Sequence, residues 1–315
     1  MQRKVIRQGH NTLTITLPSK WVQKNSVKAG DEISIEEKGM GLVIGSHNGK
    51  SIEWVEIDIS DLDSQSLRRQ IRSAYKLGYD EVKVNFSNDQ TIEFKSNVPQ
   101  KTLEAIYKEE SMLVGMEIIE QGKQYCLLKD VSNSTMNDPS PILRRVFLLL
   151  DDSFQDLLQS IKNFDEGTLR TLDNKHDTVT KFITYYHRLL NKQGHSDYRK
   201  TAVLYLFING LDMVADIIKY VGRDWLIARE KKPKKAFLDL LDAVYKDFRM
   251  FYQLYYKFDK NVIKELSKRR HDYMNYLNKE GKNMSPPELH VSTEMEQILQ
   301  IIFDITDSII AMTFH

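Results

Sequence analysis

The sequence predicts an α+β chain of several domains: short strands near the N-terminus, a small mixed α+β unit, then a long all-helical part. Three observations carry this. Residues 11–17, Asn-Thr-Leu-Thr-Ile-Thr-Leu, alternate polar and apolar side chains rich in β-branching, the period of a half-buried strand. Between residues 52 and 131, apolar runs of strand length alternate with amphipathic stretches of helix length. Beyond Pro141, apolar residues recur at spacings of three and four, as in helices that bury one face. The 315 residues also suggest roughly two domains or more by length alone.

The first domain is expected over residues 1–50. Pro18 ends its strand, since proline cannot donate to a ladder. Residues 19–25 fit one or two helical turns anchored by Trp21 and Val22. Residues 27–31 form a turn, 32–36 a strand, 38–41 a second turn and 42–44 a last strand. So short a module barely makes a core, so a partner chain is expected to complete it. The second domain, residues 51–132, is expected to hold strands over 53–59, 81–86, 91–94, 113–119 and 124–128. Its helices are expected over 66–77, closed by Gly78, and over 99–109, with Pro99 in the first turn. Residues 133–141 read as a polar, proline-punctuated linker.

The third domain spans residues 140–315. Its apolar stripes are Leu143, Val146, Phe147, Leu150, Phe154, Leu157 and Ile161; Leu204, Phe207, Leu211, Val214, Ile218 and Val221; Phe237, Leu240, Val244, Phe248, Phe251, Tyr255 and Phe258; and Ile298, Ile302, Ile305, Ile309 and Met312. Breaks near residues 165–167, 194–196, 231–233, 259–261 and 280–287 divide this part into six helices, most simply two sets of three. Ser285 before Pro286 has the form of an N-cap with proline at the first helical position. The aromatic run from Tyr245 to Phe258 fits a core or a dimer interface.

Composition narrows the function classes. Hydrophobic residues at 41% and charged residues at 28% suit a chain that buries a core and stays in solution. No apolar run approaches the ~20 residues of a membrane span, and the charged start lacks the apolar core of a secretory signal. Cys126 is the sole cysteine, which excludes an intrachain disulfide and a cysteine-based zinc site. These features point to the cytoplasm and to no membrane insertion. No glycine-rich phosphate loop and no Ser/His/Asp or Cys/His set is present, so no enzymatic activity is expected. The net charge of +1 hides a segregated pattern: residues 1–28 carry Arg3, Lys4, Arg7, Lys20, Lys24 and Lys28 and no acid. Such a patch fits either a solvated face or contact with phosphates, where it would release counterions.

The segment from Arg3 through Gly9, Thr12, Leu17-Pro18, Lys20 and Trp21 to Gly30-Asp31 resembles the AbrB/SpoVT/MazE family. More closely, it looks like the version fused to PhoU domains in archaeal phosphate-uptake regulators. The resemblance implies a swapped-hairpin β-barrel built by two chains, a homodimer that reads a two-fold promoter site. The DNA-facing residues it implies are Arg3, Lys4, Arg7, His10, Asn11, Thr12, Lys20 and Lys24. Two departures stand out: His10 after the glycine, and Val22 and Gln23 after the turn, replace positions that are usually basic, so base preference does not carry over. Asn11 and Thr12 also suit a turn as such.

Residues 140–315 resemble PhoU in length, helix count and spacing. That family carries acidic pairs four apart that converge on a metal, here a divalent or iron ion. Asp212 and Asp216 look like one pair and Asp173 and Asp177 like another, while the last helix offers Asp304 and Asp307 at spacing three. Where the remaining acidic pair is expected stands Arg269-Arg-His-Asp272, so two of the four motifs are degraded. His176 and His271 are candidate supplementary ligands. The same aspartates equally fit the solvated flank of an amphipathic helix. The resemblance implies a regulator of phosphate uptake whose helical domain senses phosphate or metal status. The alternative is a non-DNA-binding adaptor that docks on a phosphate transporter or a sensor kinase.

Overall fold

The computed structural model describes residues 2–38, 41–46, 52–132 and 139–314. The linker expected over 133–141 and the turn expected over 38–41 fall largely outside them. The chain divides into two compact units, Met1–Glu53 with Ser196–Tyr198, and Trp54–His195 with Arg199–His315.

The first unit contains two hairpins and a short helix. Strands β1 (Ile6–Gln8) and β2 (Thr12–Thr14) pair antiparallel, with Arg7 opposite Leu13. Gly9 takes φ 78° in the loop that joins them, a left-handed conformation that glycine adopts without strain. Helix α1 (Ser19–Lys24) follows Pro18, and the turn after it is fixed by the Lys28 backbone N–H donating to Asp31 Oδ2 at 2.7 Å. Strands β3 (Ile33–Lys38) and β4 (Gly41–Ser46) form the second hairpin. Among residues 2–53, none whose side chain is described is buried. Val5, Ile6, Leu13, Ile15, Ile35 and Leu42 are exposed.

The closed swapped-hairpin barrel is therefore not formed by one chain: each hairpin remains a separate two-stranded sheet. The physical reason is size. A two-stranded hairpin is marginal alone, and these apolar side chains are left exposed among the described residues. The strand expected over 11–17 is also shorter than its alternation suggested, ending at Thr14.

In the second unit, β5 (Trp54–Asp58), β6 (Glu81–Asn85), β10 (Tyr125–Asp130) and β9 (Met116–Gln121) form one sheet in the order β5-β6-β10-β9. β5 runs parallel to β6 through the crossover helix α2 (Ser64–Leu77), and the other pairs are antiparallel. Asp63 caps α2 by accepting from the backbone N–H groups of Gln65 and Ser66, and Gly78 closes it at φ 101°. Alternate residues Val82, Val84, Cys126 and Leu128 are buried against Leu67, Ile71 and Tyr75 of α2 and Ile106 of α3 (Thr102–Glu110). The buried Glu109 accepts a two-pronged contact from Arg72, at 2.7 and 2.8 Å.

Pro99 does not open α3. It lies in β8 (Val98–Lys101), opposite Ile92 of β7 (Gln90–Glu93). A two-stranded sheet has only edges, so a residue without an N–H costs it no ladder bond on the open side.

Six long helices follow among the described residues: α4 (Ser140–Asn163), α5 (Glu166–Gln193), α6 (Arg199–Ala228), α7 (Lys235–Tyr256), α8 (Lys260–Glu280) and α9 (Pro286–Met312). α4, α5 and α6 pack on one another, as do α7, α8 and α9, and the two sets meet mainly through α6 with α9. The breaks have local causes. Asp165 caps α5, Asp259 caps α8, and Ser285 with Glu288 forms a capping box at α9 with Pro286 at its start. The predicted stripes are buried except at their ends, where Tyr255 and Met312 are half-buried and Phe258, beyond the end of α7, is exposed. Most of the aromatic run of α7 packs into the core, though Tyr256 is exposed: Phe147 stacks on Tyr252 at 4.6 Å and tilts against Phe207, Phe248 and Phe251.

α6 is more apolar than the sequence reading allowed. An 18-residue window within it has mean hydropathy 1.6, long and apolar enough by length and composition to cross a membrane. Its buried face packs against α4, α5 and α9.

Candidate nucleic-acid interface

All eight implied DNA-facing residues, Arg3, Lys4, Arg7, His10, Asn11, Thr12, Lys20 and Lys24, are exposed. His10 and Asn11 form the tip of the first hairpin beside Gly9, and Arg3 and Lys4 precede β1. The hairpin register separates two of them. Arg7 shares a face with Leu13, whereas Thr12 shares the other with Ile6, Gln8 and Thr14, because cross-strand partners point the same way and neighbours alternate. Lys20 and Lys24 are four apart on α1 and so lie on one helical face. Trp21 and Val22 of the same helix are half-buried, and Asn25 closes it by donating from Nδ2 to the Trp21 carbonyl at 2.9 Å. Among the described residues none of Arg3, Lys4, Arg7, Lys20 and Lys24 has a carboxylate partner. These cations are left to counterions, the state from which phosphate binding gains most.

The six aspartates are not gathered into one site. Asp304 and Asp307 lie on the exposed flank of α9, where Gln300 Nε2 donates to Asp304 at 2.7 Å. On α5 and α6 the other four enter an ion-pair network. Asp173 accepts from Arg223 Nε at 2.7 Å, and Asp212 accepts from Thr180 Oγ1 at 2.9 Å. His176 lies between Asp177, 2.9 Å from Nδ1, and Asp216, 2.9 Å from Nε2. The buried Lys219 brings Nζ to 2.5 Å from Asp216 and 2.9 Å from His176 Nε2. The chain thus supplies its own cations: Lys219 stands where a metal shared by His176 and Asp216 would stand, and Arg223, one turn on, neutralises Asp173. These residues do not fit an added metal ion. His271 joins no such cluster among the described residues.

The electrostatics follow. Burial pushes the Asp216 carboxyl up, but hydrogen bonds from His176 and Lys219 outweigh it and hold it down at about 2. Burial presses His176 down, yet its bonds to Asp177 and Asp216 prevail and keep it above its ordinary value, with the Lys219 charge opposing them. Lys219→Met is therefore expected to move the His176 pKa further up, as followed by the ring-proton NMR titration. An unchanged or lower value would show that Lys219 does not share this site.

Among the described residues, a metal-capable group lies elsewhere: Asp224 of α6 with His290 and Glu294 of α9. His290 Nε2 is 3.2 Å from Asp224 and 3.8 Å from Glu294. Burial, and then the Asp224 charge, raise the Glu294 carboxyl. The spacing of four between His290 and Glu294 was visible in the sequence, but the third member lies 66 residues away on another helix.

No curated protein and no solved structure matches the chain. Residues 6–51 match the model of the family described as antidote-toxin recognition MazE, bacterial antitoxin, which suggests a DNA-binding or antitoxin-like regulator. The N-terminal part of the chain is thus a MazE/AbrB-like domain, followed by a mostly helical region.

Proposed function

We propose that the chain is a homodimeric DNA-binding regulator of phosphate uptake and homeostasis, acting in the cytoplasm without catalysis. The observation that carries this is the exposed basic set on a module whose apolar side chains Val5, Ile6, Leu13, Ile15, Ile35 and Leu42 are exposed in the single chain. A second copy would cover them and double the cations, which suits a two-fold operator. Phosphate as the regulated pathway rests only on the resemblance of the sequence of residues 140–315 to PhoU in length, helix count and spacing. In this reading the helical part shifts the geometry of the dimer, and with it the seating of the two modules on DNA. The opposed faces of Arg7 and Thr12 favour a second reading, in which the module only dimerises and the helical part docks on a phosphate transporter or a sensor kinase.

The test is the salt dependence of binding to promoter duplex from the protein's own phosphate-transport genes, wild type beside Arg3→Ala/Lys20→Ala. The expected result is saturable, sequence-selective binding that the double variant weakens. The slope of log affinity against log salt should become shallower by about 0.9 for each phosphate that the variant no longer neutralises. Binding no better than to a random duplex at low salt would overturn the regulator reading and leave the adaptor.

A further inference from the structure

The two three-helix sets meet mainly through α6 and α9. Near the C-terminal end of α6 and the N-terminal end of α9, three side chains of metal-ligating type converge. Asp224, His290 and Glu294 bring their ligand atoms within 4.8 Å of one another. His290 and Glu294 are four apart and so share a face of α9. Each of the three has a buried core residue beside it in sequence, Trp225, Val291 and Met295. Packing therefore fixes the backbone that carries the ligands, as a preformed site requires. The start of α9 is tied down as well: Glu288 accepts from the backbone N–H groups of Lys234 at 2.6 Å and Ser285 at 2.8 Å.

This cluster differs from the one around Asp216 in its cations. There, Lys219 and Arg223 neutralise the aspartates. Here, among the described residues, no lysine or arginine pairs with Asp224 or Glu294, and the partner they share is the His290 ring. Its Nε2 lies 3.2 Å from Asp224 Oδ2 and 3.8 Å from Glu294 Oε1. One ring nitrogen carries at most one proton, so it cannot serve both carboxylates. The other oxygen of Glu294, Oε2, is buried and accepts no hydrogen bond from any described residue, on a side chain only 18% exposed. A buried carboxylate oxygen without a partner is costly, and a bound cation would satisfy it.

The spacing suits one class of cation. Zinc binds imidazole nitrogen and carboxylate oxygen at about 2.0–2.2 Å, which sets two ligands of a tetrahedral ion roughly 3.4 Å apart. The separations of 3.2 and 3.8 Å bracket that value. Magnesium and calcium prefer oxygen ligands, so the imidazole selects a transition metal. The His290 side chain is 60% exposed, which gives an ion a path from solvent. We propose that Asp224, His290 and Glu294 bind one divalent transition-metal ion of the zinc class, which clasps α6 to α9 and leaves its fourth position to water.

The test uses the full-length chain, stripped with a chelator and titrated with ZnCl2 by calorimetry. One ion per chain is expected, with affinity falling at least about tenfold in His290→Asn and in Glu294→Gln, the scale on which even supporting residues of a metal site act. Asp216→Asn is expected to leave the affinity unchanged, because Lys219 fills that cluster. Zinc should also raise the urea midpoint of the wild type and not that of Glu294→Gln, since an ion held by both helices stabilises the folded state. Equal affinity in wild type and Glu294→Gln, or a loss in Asp216→Asn in its place, overturns the proposal. So does a wild type that shows no saturable binding of zinc.

Discussion

Arg188→Met is expected to destabilise the second unit by roughly 3–5 kcal/mol, the range for removing one partner of a buried ion pair. Arg188 projects from α5 into the α+β segment and is almost wholly buried. Its Nη1 donates to the carbonyls of Tyr75 at 2.8 Å and Tyr79 at 2.9 Å, on either side of the glycine that ends α2. Nη2 donates to Asp130 at 2.7 Å, and the guanidinium lies 4.6 Å from the centre of the Tyr75 ring. One side chain thus holds the negative end of a helix, the last strand of the sheet and an aromatic face. Burial pushes the Asp130 carboxyl up, while Ser132 and Arg188 outweigh it and hold it low. Without Arg188 that charge keeps Ser132 and, at 4.0 Å, Lys192, and the Tyr75 carbonyl keeps only the Gly78 N–H. Arg188→Lys should recover only part of the stability, since an ammonium cannot reproduce the fork. The check is the urea midpoint at constant slope. A change below about 1 kcal/mol, the scale of an exposed pair, would show that Arg188 is not what joins α2 to α5.

Stability is expected to fall between pH 6.5 and pH 4, by about 3 kcal/mol in full, because of His187. This ring is fully buried, stacked on Tyr205 at 3.9 Å, and its Nδ1 has no hydrogen-bond partner among the described residues. Burial first, and then the Lys76 charge, press its pKa from 6.5 to about 4. A folded value below the unfolded one means that the unfolded chain takes up the proton first. The native state keeps its full stability above the unfolded value and loses it as the pH falls through the folded value. Each unit of difference corresponds to about 1.4 kcal/mol. Asp216 adds a loss only at lower pH, toward about 2. His187→Leu should flatten the curve over this window, as read from unfolding free energies at pH 7 and pH 4.5. An equal loss in both proteins would place the proton elsewhere.

Much of the helical part is legible in the sequence because its signals are local. The predicted breaks fall at capped ends, with Asp165, Asp259 and Ser285 as side-chain caps and Pro286 at a helix start. Gly78 closes α2 as its position suggests. What the sequence hides is decided by neighbours distant along the chain. Pro99 looks the same at a helix start and in a two-stranded sheet until Ile92 is seen opposite it. The aspartates resemble ligands because spacing reports which side chains share a face, not which cations face them. Lys219 and Arg223 stand one and two turns from Asp216, and spacing alone does not say that they occupy the site. The eight basic and polar residues of the N-terminal module are readable as an exposed set, but the division of Arg7 from Thr12 depends on a pairing register that composition does not encode.

In the proposed dimer, the N-terminal module, none of whose described side chains is buried in one chain, does not have a stability that belongs to one molecule. Its folding is then linked to mass action, and the fraction in working order rises with the total amount of chain. Near the midpoint of assembly the supply of paired modules varies roughly with the square of the free chain, so halving synthesis removes more than half of the competent species. In that dimer the abundance of the protein would itself set how much of the module is competent.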